Sequence, residues 1–398
     1  MAWILHLPIL FTIGWILSNK YQKFGQWVSL SLLLKVLATV AFGLLFLKYY
    51  GHGDTLVIHR QVLAFNSVQD DGFLSYLQRL FEYINPYQGN PRTLYVVRLI
   101  APLSWLCFDN YWLTGLYISL FFMGSCWRLI SKIAELFPLS SAAAIISCCF
   151  LPTVVFWNTG ISKDAIANGC FFLLCSFLLD IWSGDFKKKN IGLVMILFWS
   201  LMMSKHYLAG TFFFLGAALV LDHNLKKVSL WKRLITFGTV AISALVGIRF
   251  FFIRLRPERL PITVYELNKQ ILSKSGGSTI SFDLEPTWTS LISQLPKAIW
   301  AGLFMPLPWN TASFLELVVS LENLVLVALF VLSLWFIRKA RVTNVLLITG
   351  LFVMILATML PLTTPNLGSL SRYKATFIPF FFMIISTLPM NYWRDRSV

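Results

Sequence analysis

Charge is what this chain is short of. Only 13% of its residues are Asp, Glu, Lys or Arg and 57% are hydrophobic, whereas a soluble domain carries about 25% charged residues. That excludes a water-soluble globule. Histidine is scarce too, five in 398 residues, and the six cysteines show no zinc or iron–sulfur spacing. Cys148, Cys149, Cys170 and Cys175 sit inside apolar runs, where a thiol behaves as a small hydrophobe. The chain has no glycine-rich nucleotide motif, no coiled-coil heptads and no internal repeat. It reads as a single integral membrane domain, residues 1–398, without ATP-driven chemistry of its own. The first 18 residues lack a basic leader and a small-residue cleavage site, so they are expected to stay as a helix.

What is present instead is apolar sequence in long runs. The fold expected is an all-α polytopic membrane protein with about eleven transmembrane helices. The candidate spans are 3–18, 27–48, 112–130, 139–157, 164–183, 191–204, 208–221, 234–253, 318–337, 343–360 and 373–389. Two apolar pieces, 93–108 and 296–306, are shorter or interrupted. Between the spans lie basic clusters such as "KKKN", "NLKKVSLWKR" and "RKAR", the pattern that holds a loop in the cytoplasm. With 93–108 lying flat or re-entrant on the outer side, every strong cluster falls inside. The expected localisation is a bacterial cytoplasmic (inner) membrane, N-terminus outside and C-terminus inside. Two large extracytoplasmic loops follow, 49–111 and 254–317, the second covering a cavity.

The polar residues that do not suit lipid gather on that outer side. In "KYYGHGDTLVIHRQ", Asp54 lies just past a span, between His52 and His59 and ahead of Arg60. A carboxylate there suits a general base for an incoming hydroxyl; a solvated cap is the plain alternative. In "NTGISKDAIANG", Asp164 suits a helix start, where amides and dipole favour an anion. Lys163 does not, which points to an anionic ligand. Lys205 and His206 in "MMSKHYLAG", and Arg372 and Lys374 in "GSLSRYKATF", repeat the anomaly. Snorkelling explains any one of these pairs; a phosphate or pyrophosphate head group explains all of them. Asp283 and Glu285 are alternative acidic groups, while Asp70 and Asp71 read as a solvated turn. Lys35, Arg128, Arg249 and Glu322 fall within apolar runs, where facing lipid would be costly.

Three segments, "LPTVVFWNTGISKDAIANGCFFLL", "LFMPLPWNTASFLELVVSLENLVLV" and "NLGSLSRYKATFIPFFFMI", resemble pieces of membrane proteins encoded with bacterial surface-polysaccharide genes. The broader likeness is to the GT-C superfamily of polyprenol-linked glycosyltransferases. The resemblance implies transfer of a sugar from a polyprenyl-phosphate carrier to a glycan, lipid or protein acceptor on the outer face. It puts the catalytic base at Asp54, with His52 and His59 beside it. Arg60, Lys163, Lys205, His206, Arg372 and Lys374 would bind the phosphate. It also implies an inverting single displacement and leaves a divalent metal ion open. The acidic or tyrosine neighbour common after that aspartate is missing from "GDTLVIH". Competing expectations are a polysaccharide polymerase or ligase acting on a lipid-linked oligosaccharide, a transporter, and an assembly subunit. None involves nucleic acid.

Overall fold

The computed structural model describes residues 2–67, 72–82, 90–224, 256–274, 278–311, 313–336 and 343–394. Among them all regular structure is helical, apart from one isolated antiparallel bridge between Thr279 and Asn366. The chain divides into two compact units. One is Met1–Leu136, Cys148–Phe150 and Val155–Gly210; the other is Phe137–Ser147, Leu151–Val154 and Thr211–Val398.

From the N-terminus come α1 (Ala2–Lys20), α2 (Gln26–Leu44, prolonged by π turns over Leu45–Tyr50), α3 (Asp54–Asn66), α4 (Phe73–Phe81) and α5 (Pro91–Leu106). Then follow α6 (Tyr111–Leu136), α7 (Ser141–Cys149), α8 (Pro152–Trp157), α9 (Lys163–Ser183), α10 (Ile191–Ser204) and α11 (His206–Asn224). Further on lie α12 (Leu260–Lys274), α13 (Trp288–Ser293), α14 (Leu295–Phe304), α15 (Phe314–Phe336), α16 (Asn344–Thr363), α17 (Leu367–Lys374) and α18 (Ile378–Arg394).

The expected eleven transmembrane helices are corrected by this architecture. Among the described residues six helices are long and apolar enough to cross a membrane: α1, α2 with its π turns, α6, α9, α15 and α16. Each of the other expected spans that is described fails for a local reason. Residues 139–157 break into α7 and α8 at Pro152, which has no N–H to give and whose ring obstructs a continuing helix. The 14 residues of α10 reach about 21 Å, short of a core of about 30 Å. The apolar part of α11 is also short. Residues 373–389 straddle two helices, α17 and α18. The expected span 234–253 lies outside the described residues, as do Asp70, Asp71, Arg249 and the basic clusters at 226–233 and 338–341. The two stretches expected as outer loops contain helices: 49–111 carries α3, α4 and α5, and 254–317 carries α12, α13 and α14.

In the first unit, α2 and α6 run antiparallel. Thr39 donates to Ser119 (2.9 Å), and one end further on the Trp127 indole donates to Ser31 (3.0 Å). Trp112 fills the space above Gly43, where any Cβ would collide with its ring. Helices α6 and α9 run side by side in the same direction. Arg128 bonds Ser176 (3.1 Å) and Asp180 (2.6 Å), and Lys132 bonds Asp185 (2.6 Å). A return path must join two parallel helices, and of that path residues 148–150 and 155–160 lie in this unit. Cys148 lies by Cys126, Phe156 by Phe42, and the Gly160 N–H donates to Ser119 (2.9 Å). The unit therefore has two ends. Tyr50, Asp54, Tyr111, Lys163 and Lys205 share one; Lys20, Lys132, Asp180 and Lys187–Lys189 share the other.

Two charges inside spans of this unit are satisfied by protein rather than lipid. Lys35 is buried, donates to the Val155 carbonyl (3.0 Å) and sits over the Phe122 ring (4.6 Å). Arg128 is paired with Asp180. The first of these supports the end of the short helix α8, whose last carbonyls lack helical partners.

The second unit is held by close helix contact and by Lys374. At Gly302 on α14 the backbone of α16 comes so near that an added Cβ would fall inside the Ala357 carbonyl. Because the obstacle is backbone, it cannot rotate away. Gly302→Ala is expected to lower stability by about 1–3 kcal/mol, read as a drop in the thermal midpoint of the purified protein; an unchanged midpoint would refute this close packing. Nearby, Glu322 accepts the Thr153 N–H (2.7 Å) and Asn323 donates to the Pro306 carbonyl (2.8 Å). The segment at 278–280 is pinned to the turn before α17, with Ile280 N–H on the Pro365 carbonyl (2.7 Å) and Leu367 N–H on Ser278 (2.9 Å).

Candidate functional site

The end of the first unit that carries Asp54 is built from four separate stretches. Helix α2 widens over Leu45–Tyr50 into π turns, a distortion frequent near functional sites. The chain then reverses through "GHG". Gly51 adopts φ +66° and Gly53 φ +137°, and a Cβ at Gly53 would lie 2.6 Å from the Phe46 ring. Only glycine combines that torsion with that contact. The turn delivers Asp54 as the first residue of α3, where the helix dipole favours a carboxylate.

Across from it stands Lys163, the first residue of α9. The segment before it is firmly placed. Residues 158–162 are all buried, Asn168 donates to the Asn158 side chain (2.6 Å), and Ser162 caps α9 by accepting the Asp164 N–H (3.1 Å). Gly160 takes φ +71° against the Phe42 ring. Lys163 so positioned donates to Thr93 on α5 (3.3 Å) and lies 4.0 Å from a carboxylate oxygen of Asp54. The Asp54 side chain is 55% exposed and that of Lys163 23%. The pair is partly exposed, Asp54 more than Lys163.

One residue further along, the environment is reversed. Asp164 and Lys205 form an ion pair of 2.6 Å with side chains only 1% and 7% exposed. The pair ties the start of α9 to the end of α10, so the Lys205 charge is balanced inside the protein rather than presented to a ligand.

The remaining expected residues divide. His52 is exposed, and its Nδ1 meets the Tyr50 carbonyl (2.6 Å). Arg60 is exposed on α3. His59 is half-buried with its ring edge-on to Tyr111 (5.3 Å), and Tyr111 exchanges a hydrogen bond with Thr55 (3.0 Å). His206 opens α11 directly after Lys205. Arg372, Lys374, Asp283 and Glu285 belong to the second unit. Lys374 is buried, and all its ammonium hydrogens have internal acceptors: the Leu303 and Met305 carbonyls (3.0 Å each) and Asn323 Oδ1 (2.9 Å). It fastens α17 to the turn after α14, with no hydrogen left for a phosphate. Arg372 is half-buried on α17. Asp283 and Glu285 are exposed, their backbone held by Ser290.

Some contributors carry no clear signal in the sequence. Thr93 and Tyr111 are ordinary residues whose contacts arise from tertiary packing. Asp109 accepts from Asn66 (2.6 Å) and Ser104 (2.8 Å) and so fastens α3 to the end of α5. It does this from a left-handed conformation, φ +53°, after Phe108 at φ +56°.

Burial lowers the pKa of His59 below the usual imidazole value, and the Asp109 charge opposes this only in part. The folded state therefore favours the neutral ring. Below the ordinary value of about 6.5 the unfolded chain binds the proton more readily, so stability falls as pH falls through that window. The thermal midpoint of the native protein is expected to drop more steeply from about pH 7 to pH 5 than that of His59→Gln. Parallel curves would exclude His59 as the source.

Among the described residues no group of three or more His, Cys, Asp or Glu is placed to hold a metal ion. The arrangement offers a carboxylate able to take a proton and a cation able to stabilise an anion beside it, at one end of a helical membrane unit. Compared with known proteins, the chain matches no family model, no curated protein and no solved structure.

Proposed function

We propose that this membrane protein is a glycosyltransferase of GT-C type, moving a sugar from a polyprenyl-phosphate carrier to an acceptor hydroxyl at the end of the first unit that carries Asp54. The observation behind this reading is the partly exposed Asp54–Lys163 pair, 4.0 Å apart. Asp54 takes the acceptor proton while the acceptor oxygen bonds to the anomeric carbon. The bond from that carbon to the phosphate oxygen breaks, its electrons leave with the polyprenyl phosphate, and Lys163 stabilises the charge that collects there. One displacement inverts the anomeric centre.

The basic residues at the opposite end, Lys20, Lys23 and Lys187–Lys189, suit the cytoplasmic side, which makes the Asp54 end extracytoplasmic. A donor carried by a lipid reaches such a site within the bilayer. Among the described residues the charges inside spans give a transport reading no comparable support, since Lys35, Arg128 and Glu322 each have a protein partner.

The test uses purified protein in liposomes containing polyprenyl-phosphate-linked sugars and soluble acceptor glycans. Expected is release of polyprenyl phosphate with a new glycosidic bond of inverted configuration. Turnover of lipid diphosphate-linked oligosaccharides alone would replace the proposal with a polymerase or ligase. Sidedness is read separately: His52→Cys in intact cells should react with an impermeant maleimide added outside.

A further inference from the structure

Lys163 donates to Thr93 at the start of α5 (3.3 Å), and the residue before Thr93 is Arg92. Asn90 caps this helix by accepting the Arg92 N–H (3.1 Å), and Pro91 begins it. Arg92 therefore rises from a fixed first turn rather than a loose loop. Its side chain is exposed, and among the described residues no carboxylate pairs with it. Its charge also acts on the imidazole of His206, the neighbour of Lys205. Arg92 thus neighbours Thr93, the partner of Lys163, and acts electrostatically on His206.

We infer that Arg92 and Lys163 together form a two-cation cradle for a lipid phosphate, with Lys205 serving only to lock α9 to α10. The inference deepens the proposed function and rests on it for the identity of the lipid. Arginine is suited to the task, because its planar guanidinium offers paired N–H donors to phosphate oxygens. Charge supports the assignment. Arg92 and Lys163 set against the one carboxylate of Asp54 give the cradle a single positive excess against a singly charged phosphodiester donor. During transfer the acceptor proton moves to Asp54 and cancels its charge. The positive excess doubles as the departing phosphate monoester becomes able to carry a second negative charge. The cradle therefore holds the product more strongly than the donor, and it stabilises charge where the reaction generates it.

The experiment measures binding rather than transfer, with farnesyl phosphate and farnesol as probes and the full chain in nanodiscs of neutral phosphatidylcholine. Arg92→Gln should weaken farnesyl phosphate binding at least about tenfold, as expected for a lost charged hydrogen bond, and leave farnesol binding unchanged. Arg92→Lys should fall between, and Lys188→Gln at the opposite end should bind as the native protein does. Unchanged farnesyl phosphate binding in Arg92→Gln would overturn the inference, as would an equal loss of farnesol binding or no binding by the native protein. The two readings fail separately. Arg92-dependent binding without sugar transfer would sink the proposed reaction and keep the cradle; transfer with Arg92-independent binding would do the reverse.

Discussion

Asp54→Asn is expected to reduce sugar transfer by roughly a hundredfold or more with the protein still folded. Asparagine keeps the size of aspartate and can still accept hydrogen bonds at the start of α3, but it cannot take the acceptor proton. The structural cost is small because the side chain is 55% exposed and its contact with Lys163 spans 4.0 Å. Exposed ion pairs contribute about 0–1 kcal/mol. The measurement is turnover of the purified variant, with its elution volume and thermal midpoint checked against the native protein. If Asp54 only caps α3, turnover stays near normal. That result would move the base to Asp283 or Glu285, two exposed carboxylates of the second unit.

The second large effect belongs to the pair one residue from Lys163. Asp164→Asn leaves the Lys205 ammonium buried without its counter-charge, and breaking a buried pair in this way costs about 3–5 kcal/mol. Both side chains are almost fully enclosed, 1% and 7% exposed, so solvent screening does little to reduce that figure. A fall in thermal midpoint or loss of folded yield is the expected result. Asp164→Leu combined with Lys205→Met removes both charges and should recover much of the stability, since apolar replacement of a buried pair is often neutral or better. If the double variant is no more stable than Asp164→Asn, the pair does more than neutralise charge at this junction.

The two predictions separate residues that look equivalent in the sequence. Lys163 and Lys205 both stand at helix ends beside apolar runs, and each reads as a candidate for an anion. Which one is available depends on Asp164, far from Lys205 in the chain but pressed against it by α9 and α10. Lys374 shows the same limit. Its position after a glycine-containing loop suggests a head-group ligand, but its hydrogens are taken by two carbonyls of the α14 turn and by Asn323. Arg92 is the converse case, a residue of no evident distinction until the Lys163–Thr93 bond brings its helix to the site.

By itself the sequence determined the membrane setting and the helical class, because both follow from composition and run length, which are local. It also determined the Asp54 turn, since "GHGD" holds the glycines that its positive φ values need, and the start of α9, where serine, lysine and aspartate sit in capping order. The structure then showed which apolar runs of the described residues become helices of spanning length, although the breaks themselves are local. Pro152, the short α10 and the break between α17 and α18 interrupt stretches whose average hydropathy looks continuous. It also decided which charges are spent inside and which face out. A charge is neutralised by whatever lies within a few ångströms of it, and in a helical bundle those neighbours come from elsewhere in the chain.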